Sequence, residues 1–384
     1  MIDTQEALDA LVDQLATQDC IAIDCEMDSM YAYGTSLCVV QVGWDEKEAL
    51  IDGLADLDRA RLGALFADPR KVKIFHGGEN DIGLMRSHWG FDFANTFDTM
   101  AASQILGHDG VGLAAVLDRF YDVKLSKKFQ KADWRIRPLP EEQAEYARMD
   151  VRWLIPLRAV LLGELEELNR VEEAECEFAR IARANIADKP FDADNWVKVK
   201  GSRELPAKTR GAVRCLYIAR DTISKRLDRA PFRVLHDSAI VELAKRQPKD
   251  EAGYRQLRGV NRHLNAQDVK LLLEALEEGL QLGEIPVPAR RGRRKPWDPG
   301  PEGKLSPEQE RLFDALRKWR TKRAETRGVE IARVATTSLL MGIARAAPTS
   351  AEALGAVDGV ESWRVREYGE EIVEVVSKVQ QPKP

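Results

Sequence analysis

The stretch CIAIDCEM at residues 20–27 decides the fold class of this 384-residue chain, because a short apolar strand pattern ends there in two acids. SLCVVQVGW (36–44) and ALID (49–52) follow as two further strand patterns, separated by the polar turn DEKE. An amphipathic helix pattern, TQEALDALVDQLAT (4–17), precedes them. Residues 1–165 are therefore predicted to form an α/β unit with several adjacent strands.

The rest of this unit is predicted from the same two periodicities. LDRARLGALFAD (57–68) has the spacing of a helix, and KVKIFH (71–76) has that of a fourth strand. Three helical stretches follow, namely DIGLMRSHWG, FDTMAASQILG and GLAAVLDRFYD. The segment EEQAEYARMDVRWLIPLRAVLLGELEEL (141–168) is predicted to close the unit as one long helix, bent at Pro156.

The second half of the chain shows no convincing strand pattern and carries an internal repeat. Matching residues recur at a constant offset of 100 positions, which predicts two copies of one small helical fold. The matches include Leu216 with Leu316, Arg220 with Arg320, Arg233 with Arg333, Ser238 with Ser338, Pro248 with Pro348 and Gly259 with Gly359. The predicted organisation is an α/β domain over 1–165, a helical connector over 166–205, a helical domain over 206–285, a basic Pro/Gly linker over 286–305 and a second, diverged helical domain over 306–384.

Charge is divided unevenly between the two halves of the chain. Residues 1–200 hold 23 Lys and Arg against 37 Asp and Glu, and residues 201–384 hold 35 against 26, so the balances are −14 and +9. Clustered cations favour a polyanionic partner such as nucleic acid, although two unrelated domains with chance balances would give the same numbers. The cations of the predicted linker are Arg290, Arg291, Arg293, Arg294 and Lys295.

The composition argues against several classes of protein. No stretch approaches the roughly 20 apolar residues that span a bilayer, so no membrane association is expected. The acidic, amphipathic N-terminus lacks the pattern of a secretory signal. The five cysteines form no CxxC pair, which disfavours a disulfide framework or a zinc site and favours a reducing cytoplasm. Nothing in the sequence suggests an obligate oligomer, and we expect a monomer.

The acids at the end of the first strand are candidate metal ligands. Asp24 and Glu26 lie two positions apart and therefore on one face of the strand, whereas Ile21, Ile23 and Cys25 point to the other face. Neighbouring carboxylates repel each other, and a divalent cation between them would remove the repulsion. Two solvated acids at the end of a strand would produce the same pattern.

Further candidate residues lie at the ends of later elements. Asp81 follows a strand and a Gly-Gly turn, where it is either a capping acid of the next helix or a third carboxylate over the strand ends. Tyr146 and Asp150 are four apart on one helix face, where the phenol either borders the core or polarises a bound water beside the carboxylate. His76 is either a hydrogen-bonded structural residue or a functional one.

In the order Asp24-x-Glu26, then Asp81, then Tyr146-x-x-x-Asp150, these segments resemble the three exonuclease motifs of the tyrosine branch of the DEDD superfamily. The segment KKFQKADWRIRPLPEEQAEYARMD (127–150) is more specific and resembles the ribonuclease D family and its exosome-exonuclease and Werner-exonuclease relatives. The two helical repeats resemble helicase-and-RNase-D C-terminal (HRDC) domains. The resemblance implies a ribonuclease H-like core, with a mixed sheet flanked by helices, followed by two small all-α domains.

The resemblance also implies hydrolysis of the phosphodiester at a 3′ end with two divalent metal ions, Mg²⁺ or Mn²⁺. By this resemblance, Asp24, Glu26, Asp81 and Asp150 hold the ions, and Tyr146 orients the attacking water. RNA is the implied partner, with precursor tRNA or another structured RNA with a 3′ extension as the typical substrate. Substrate contacts are expected from Met27, His76, Lys127, Lys128, Trp134 and Arg137.

Two other functions fit the same sequence. A DNA 3′–5′ exonuclease could use the same acids, since nothing in the sequence reads the 2′-hydroxyl. A catalytically inactive RNA-binding scaffold is disfavoured because all four acids and the tyrosine are present, and a helicase is excluded because the chain has no P-loop. Removing residues 206–384 is predicted to weaken binding to structured RNA and flatten its salt dependence, while short single strands are still hydrolysed.

Overall fold

The computed structural model of the chain describes residues 1–28, 30–186, 190–287 and 305–380. Its only sheet within these residues has five strands in the spatial order β3-β2-β1-β4-β5. The first three strands are antiparallel, and β4 and β5 run parallel to β1. The strands are β1 (Cys20–Met27), β2 (Leu37–Trp44), β3 (Lys47–Asp52), β4 (Val72–Phe75) and β5 (Thr96–Asp98).

Helices cover both faces of this sheet and complete the α/β unit, which comprises residues 1–186. The apolar faces of the helices and the sheet form one continuous core, which includes Ile21 and Ile23 of β1. The helices are α1 (Gln5–Ala16), α2 (Ala60–Ala67), α3 (Glu79–Trp89), α4 (Thr99–Leu106), α5 (Leu113–Tyr121), α6 (Glu141–Arg152), α7 (Leu154–Glu167) and α8 (Val171–Ala182). The last of these, predicted as part of a connector, packs into the same core through Phe178 and Ile181.

Two details of the α/β unit differ from the prediction. The stretch FDTMAASQILG does not begin as a helix, because residues 96–98 form the edge strand β5 before α4 starts. The predicted long helix is two helices, which meet at Trp153 rather than bending at Pro156. Pro156 lies in the first turn of α7, where the backbone N–H that proline lacks would have no helical partner.

The chain beyond the α/β unit is helical in both of its described parts. Three short 3₁₀ helices (Ala193–Lys198, Ser202–Glu204 and Ala207–Thr209) lead into the first set. The first helical unit, residues 190–287, then contains α9 (Arg210–Leu227), α10 (Pro231–Val234), α11 (Asp237–Arg246), α12 (Glu251–Gln256) and α13 (Ala266–Leu282). The second helical unit, residues 305–380, contains α14 (Pro307–Arg327), α15 (Ile331–Val334), α16 (Thr337–Ala346), α17 (Ala351–Gly355) and α18 (Ser362–Gln380).

The predicted repeat is confirmed, since the two units have the same succession of five helices and each has its own core. Equivalent arginines make equivalent bonds, because Arg220 donates to the Leu235 carbonyl at 3.0 Å and Arg320 donates to the Ala335 carbonyl at 2.9 Å. The linker cations Arg290, Arg291, Arg293, Arg294 and Lys295 lie outside the described residues.

The first helical unit holds the loop that follows β1. The Ala230 amide donates to the Tyr31 carbonyl at 3.0 Å, and the Tyr33 hydroxyl donates to Asp221 at 2.6 Å. Arg233 adds a hydrogen bond from Nε to the Met30 carbonyl at 2.5 Å. Loop residues 30–33 are therefore fixed by a different domain from the strand that precedes them.

The second helical unit packs against α8 through ion pairs. Arg327 lies 2.9 Å from Glu173, and both side chains are almost completely buried. Arg333, the equivalent of the arginine that holds the β1 loop in the first unit, lies 2.8 Å from Glu177 and also bonds Gln104. Both helical units thus contact the α/β unit, which the sequence left open.

The described residues contain no helix long and apolar enough to cross a membrane. All five cysteines have free thiols.

Candidate active site

The site begins on β1, where alternation places Asp24 and Glu26 on the face opposite Ile21, Ile23 and Cys25. The apolar residues of this strand enter the core and leave both carboxylates on the face beneath α6. Pairing with β2 holds the backbone at both acids, whereas the pairing with β4 covers only residues 20–22. Their proximity is therefore a property of the sheet.

Helix α6 brings Asp150 to the same place. Ala147 and Val151 bury one face of α6 against the sheet. Gly43 of β2 permits the close approach, since a Cβ at this position would lie only 3.3 Å from the Val151 carbonyl oxygen. Asp24, Glu26 and Asp150 converge so that one carboxylate oxygen from each lies within 4.8 Å of the others.

Asp81 approaches from the other side of the sheet's end. It lies in the first turn of α3 after the turn Gly77-Gly78, and it does not belong to the group of three converged carboxylates. Burial raises its pKa, and the charges of Asp24 and Asp98 raise it further. The electrostatic coupling shows that Asp81 borders the cluster.

Burial and mutual repulsion raise the pKa values of the converged acids. Burial raises the pKa of Asp24 to about 6. Burial followed by the charge of Asp24 raises the pKa of Asp150 to about 8. For Glu26, burial and then the charges of Asp24, Asp150 and Asp81 raise the pKa to about 10. Carboxylates that resist ionisation together are a donor set suited to a hard divalent cation, whose charge would cancel the repulsion.

Tyr146 borders the same cluster from α6. Its ring lies between two aromatic neighbours, with centroid distances of 5.9 Å to Phe129 and 6.1 Å to Trp134. Burial, together with the charge of Asp150, raises the pKa of its hydroxyl above the ordinary value. The phenol therefore stays protonated at neutral pH and serves as a hydrogen-bond donor.

Four of the predicted substrate contacts differ in their exposure and in the partners they bind. Met27 follows a bulge in β1 and is half-buried against the core. Lys127 and Lys128 are exposed on the loop before α6, and Lys128 pairs with Glu142 at 2.5 Å. His76 places Nδ1 2.9 Å from the Thr99 hydroxyl, and burial lowers its pKa to about 4.

The other two predicted contacts, Trp134 and Arg137, lie close together and differ in exposure. Trp134 is only 1% exposed and packs among Val39, Leu50 and the helix α6. Arg137 forms a two-pronged ion pair with Asp52, with both N–O distances at 2.6 Å, and its side chain stays 25% exposed. Trp134 is therefore enclosed by the protein, whereas Arg137 is partly accessible but already paired.

Two side chains that border the acids are not among the residues predicted from the sequence. Gln41 of β2 lies in register with Asp24, and its fully buried amide has no hydrogen-bond partner among the described residues. Asp98 ends β5 and accepts from the Gly77 and Gly78 amides at 3.2 and 2.8 Å, so it fixes the turn that presents Asp81. The sequence signal for Gln41 was a polar residue inside the apolar run LCVVQVGW.

Comparisons with known proteins agree with this geometry. Residues 1–166 match the family model described as a 3′–5′ exonuclease, and residues 210–276 and 309–376 each match the HRDC domain model. Ribonuclease D of Acidiphilium cryptum is 33% identical over 264 residues, which cover 68% of this chain and 67% of that protein. The chain belongs to the ribonuclease D family. It is accordingly a hydrolase with a 3′–5′ exonuclease domain.

Solved structures support the same assignment for the fold. A protein from Bifidobacterium adolescentis superimposes with a TM-score of 0.75 at 25% identity, covering 98% of this chain and 96% of that one. The catalytic core of RRP6 from Trypanosoma brucei has a TM-score of 0.67 at 28% identity and covers 73% of this chain and 79% of its own. The predicted fold class, a mixed sheet with flanking helices followed by two helical domains, is confirmed for this ribonuclease D family member.

Replacing Asp98 by asparagine should loosen the turn that carries Asp81. The amide keeps one acceptor oxygen, so the variant loses either the bond from Gly78 or the bonds from Gly77 and Ala101. Losing a hydrogen bond to a buried charge costs about 1.5–3 kcal/mol. A shift of Asp81 by even about 1 Å is expected to lower exonuclease activity by about 100-fold. Urea denaturation and nucleotide release measure the two effects.

The matched control for this variant is Asp250→Asn. Asp250 caps α12 by accepting from Gly253 at 2.8 Å, far along the chain from the acids. The Asp250→Asn variant should be less stable than the parent and equally active. Equal activity in the Asp98 variant and the parent would contradict the positioning role.

Proposed function

We propose that the chain is a metal-dependent 3′–5′ exoribonuclease that releases nucleoside 5′-monophosphates from RNA 3′ ends, with 3′-extended tRNA as its substrate. The observation that carries this proposal is the convergence of Asp24, Glu26 and Asp150, with their oxygens within 4.8 Å of one another. The names of the ribonuclease D and RRP6 relatives support RNA as the substrate. We also propose a monomer in the cytoplasm, a reducing compartment in which free thiols such as those of the five cysteines persist.

The four acids would together bind two divalent ions, Mg²⁺ or Mn²⁺. Asp24, Glu26 and Asp150 would hold one ion, with Asp24 shared between the two, and Asp81 would complete the second site from α3. When bound, such ions activate a water and stabilise the departing 3′ oxygen. The orphaned amide of Gln41 beside Asp24 also fits a site whose polar groups are completed by hydrated ions.

Tyr146 would orient the attacking water. Its raised pKa keeps the hydroxyl protonated, and the aromatic contacts on both sides limit rotation of the ring. A rigidly held donor reduces the entropy loss on reaching the transition state, because the water is already oriented. We also propose that residues 1–165 carry the chemistry and that the HRDC-type domains at 206–285 and 306–384 retain the rest of the RNA, as the basic second half suggests.

The test uses Asp150→Asn with a 3′-extended tRNA and Mg²⁺. We expect the parent to release mononucleotides and the variant to lose at least 1,000-fold in rate, because one metal ligand is removed. Paired RNA and DNA oligonucleotides of one sequence test the alternative, a DNA 3′–5′ exonuclease. Faster cleavage of the DNA strand would replace the proposal with that alternative. No cleavage by the parent would leave an RNA-binding scaffold, and equal tRNA cleavage by parent and variant would mean that Asp150 holds no catalytic metal.

The metal-free protein should lose stability as the pH rises. The folded-state pKa values, about 6 for Asp24 and about 8 for Asp150, lie above the ordinary value of 3.8, so the folded chain binds these protons more tightly than the unfolded chain. The stabilisation is complete below about pH 4 and is lost through pH 6 to 8. Thermal unfolding in EDTA measures the decline, and Mn²⁺ should reverse it by cancelling the repulsion.

The difference between parent and Asp150→Asn isolates this effect from other titrations. The variant should show a flatter pH dependence in EDTA and a smaller Mn²⁺ response. If parent and variant unfolded in parallel from pH 5 to 9, the coupled acids would not be the cause.

A further inference from the structure

A cleft of about 770 Å³ lies where the loop after β1 meets the first helical unit. Tyr31 stands on the α/β side, five residues beyond Glu26, so chain geometry places it within about 17 Å of the acidic cluster. The lining residues used below are Tyr31, Asp133, Arg135, Asp228, Arg229 and Arg233. The cleft is thus near the candidate active site but distinct from it.

The charge available in this cleft is positive. Asp228 is already paired with Arg135 at 2.7 Å, and Asp133 accepts from the Arg135 amide. Arg229 is exposed, and its guanidinium makes no hydrogen bond or ion pair with any residue the structure describes. Arg233 uses only Nε, toward the Met30 carbonyl, and so presents its remaining N–H groups to the cleft.

Aromatic and apolar side chains lie beside these cations. The Arg233 guanidinium lies 3.8 Å from the centre of the Tyr31 ring. Phe232 lies at the edge of the cleft, with its ring centre 5.9 Å from the Arg233 guanidinium, and it is 44% exposed. Met30, which accepts from Arg233, is 38% exposed. Cations for phosphates beside exposed rings for bases are the combination by which proteins hold single-stranded nucleic acid without reading its sequence.

We propose that this cleft binds unpaired RNA a few nucleotides upstream of the 3′ end that occupies the acidic cluster. The inference rests on the proposed function for the identity of the strand. Arg229 and Arg233 would contact phosphates, and a base would stack on Phe232. A duplex would not fit this role, because its bases are already stacked on each other. The cleft therefore selects substrates whose 3′ extension is single-stranded for several nucleotides.

The test measures RNA binding in EDTA, where no cleavage occurs, by fluorescence anisotropy with a 12-nucleotide single strand. Arg229→Glu should weaken binding by about tenfold and reduce the slope of log K against log salt by about 0.7, the contribution of one phosphate contact. Phe232→Ala should weaken binding by about five- to 100-fold through lost stacking. Both side chains are exposed, so neither change should unfold the domain.

A dinucleotide and a control variant complete the experiment. Hydrolysis of a dinucleotide with Mn²⁺ should be unchanged in both variants, because its single phosphodiester occupies the acidic cluster and leaves no upstream nucleotide for the cleft. Arg203→Glu makes the same charge change at an exposed position of the same unit outside the cleft, and it should bind the 12-nucleotide strand as the parent does.

The outcomes separate the cleft from the proposed function. Unchanged binding in both variants, or equal loss in Arg203→Glu, overturns the cleft as an RNA site. A parent that hydrolyses no RNA, together with variants that still bind RNA more weakly than the parent, overturns the proposed function and leaves the cleft as a binding site.

Discussion

Replacing Asp24 by asparagine should abolish exonuclease activity while making the metal-free protein more stable. The charge of Asp24 raises the pKa of Glu26, Asp81 and Asp150 alike, so Asp24 interacts with each of the other three acids. Without its charge the site would hold metal poorly, and losing several kcal/mol of transition-state stabilisation corresponds to a loss of at least about 1,000-fold in kcat.

The stability of the same variant should change in the opposite direction. The neutral amide removes a carboxylate whose pKa is raised to about 6 and relieves its neighbours. Allowing for its partial exposure, we expect a gain of about 1–2 kcal/mol in the free energy of unfolding at pH 8 in EDTA. Asp118→Asn, an exposed acid on α5, should alter neither quantity. A variant that is both inactive and less stable would indicate a structural role for Asp24.

Replacing Arg327 by alanine should release the second helical unit from α8. The Arg327–Glu173 pair is almost completely buried, and Arg327 also bonds the Tyr368 hydroxyl. Removing one member of a buried pair costs about 3–5 kcal/mol, and we expect the lower end of this range because Arg170 remains 3.9 Å from Glu173. We expect a lower midpoint of thermal unfolding and rapid proteolysis between the α/β unit and the second helical unit.

Two comparisons make this prediction specific. The double variant Arg327→Met with Glu173→Leu removes both charges and should recover most of the lost stability. Arg317→Ala removes a surface arginine of the same helix, which pairs with Asp314 in solvent, and should change stability by less than about 0.5 kcal/mol. A double variant as unstable as the single one would mean that packing, and not the ion pair, holds this interface.

The sequence was most informative where function or repetition leaves a local pattern. The alternation of β1 predicts that Asp24 and Glu26 share a face, and the offset of 100 residues predicts two helical units with the same succession of helices. It was less informative where the deciding partner is distant. Arg137 has the sequence context of a substrate contact, but it forms an ion pair with Asp52, which lies 85 positions earlier in the chain.

Short elements and breaks were also poorly predicted, for physical reasons. The three residues of β5 are too few to show a period of two before α4 begins. Proline signalled a bend at residue 156, whereas the actual junction at Trp153 places that proline where a helix tolerates it.

The contacts between units revise one expectation drawn from the sequence. Removing residues 206–384 would also remove the partners of loop residues 30–33, which follow directly on the catalytic strand. We therefore expect hydrolysis of short strands to fall in that truncation as well, and Arg327→Ala is the cleaner way to test the second unit alone.

Arg233 and Arg333 occupy equivalent positions in the two helical units, and each reaches across to the α/β unit at a different place. Because one polypeptide joins all three bodies, each contact forms within a molecule and not between molecules. The effective concentration of a tethered partner is in the millimolar range for short flexible connections, so a few ion pairs suffice where separate proteins would need a large interface. One equivalent arginine in each copy thus contributes to two different interfaces with the same enzyme domain, beside the other hydrogen bonds and ion pairs of each interface.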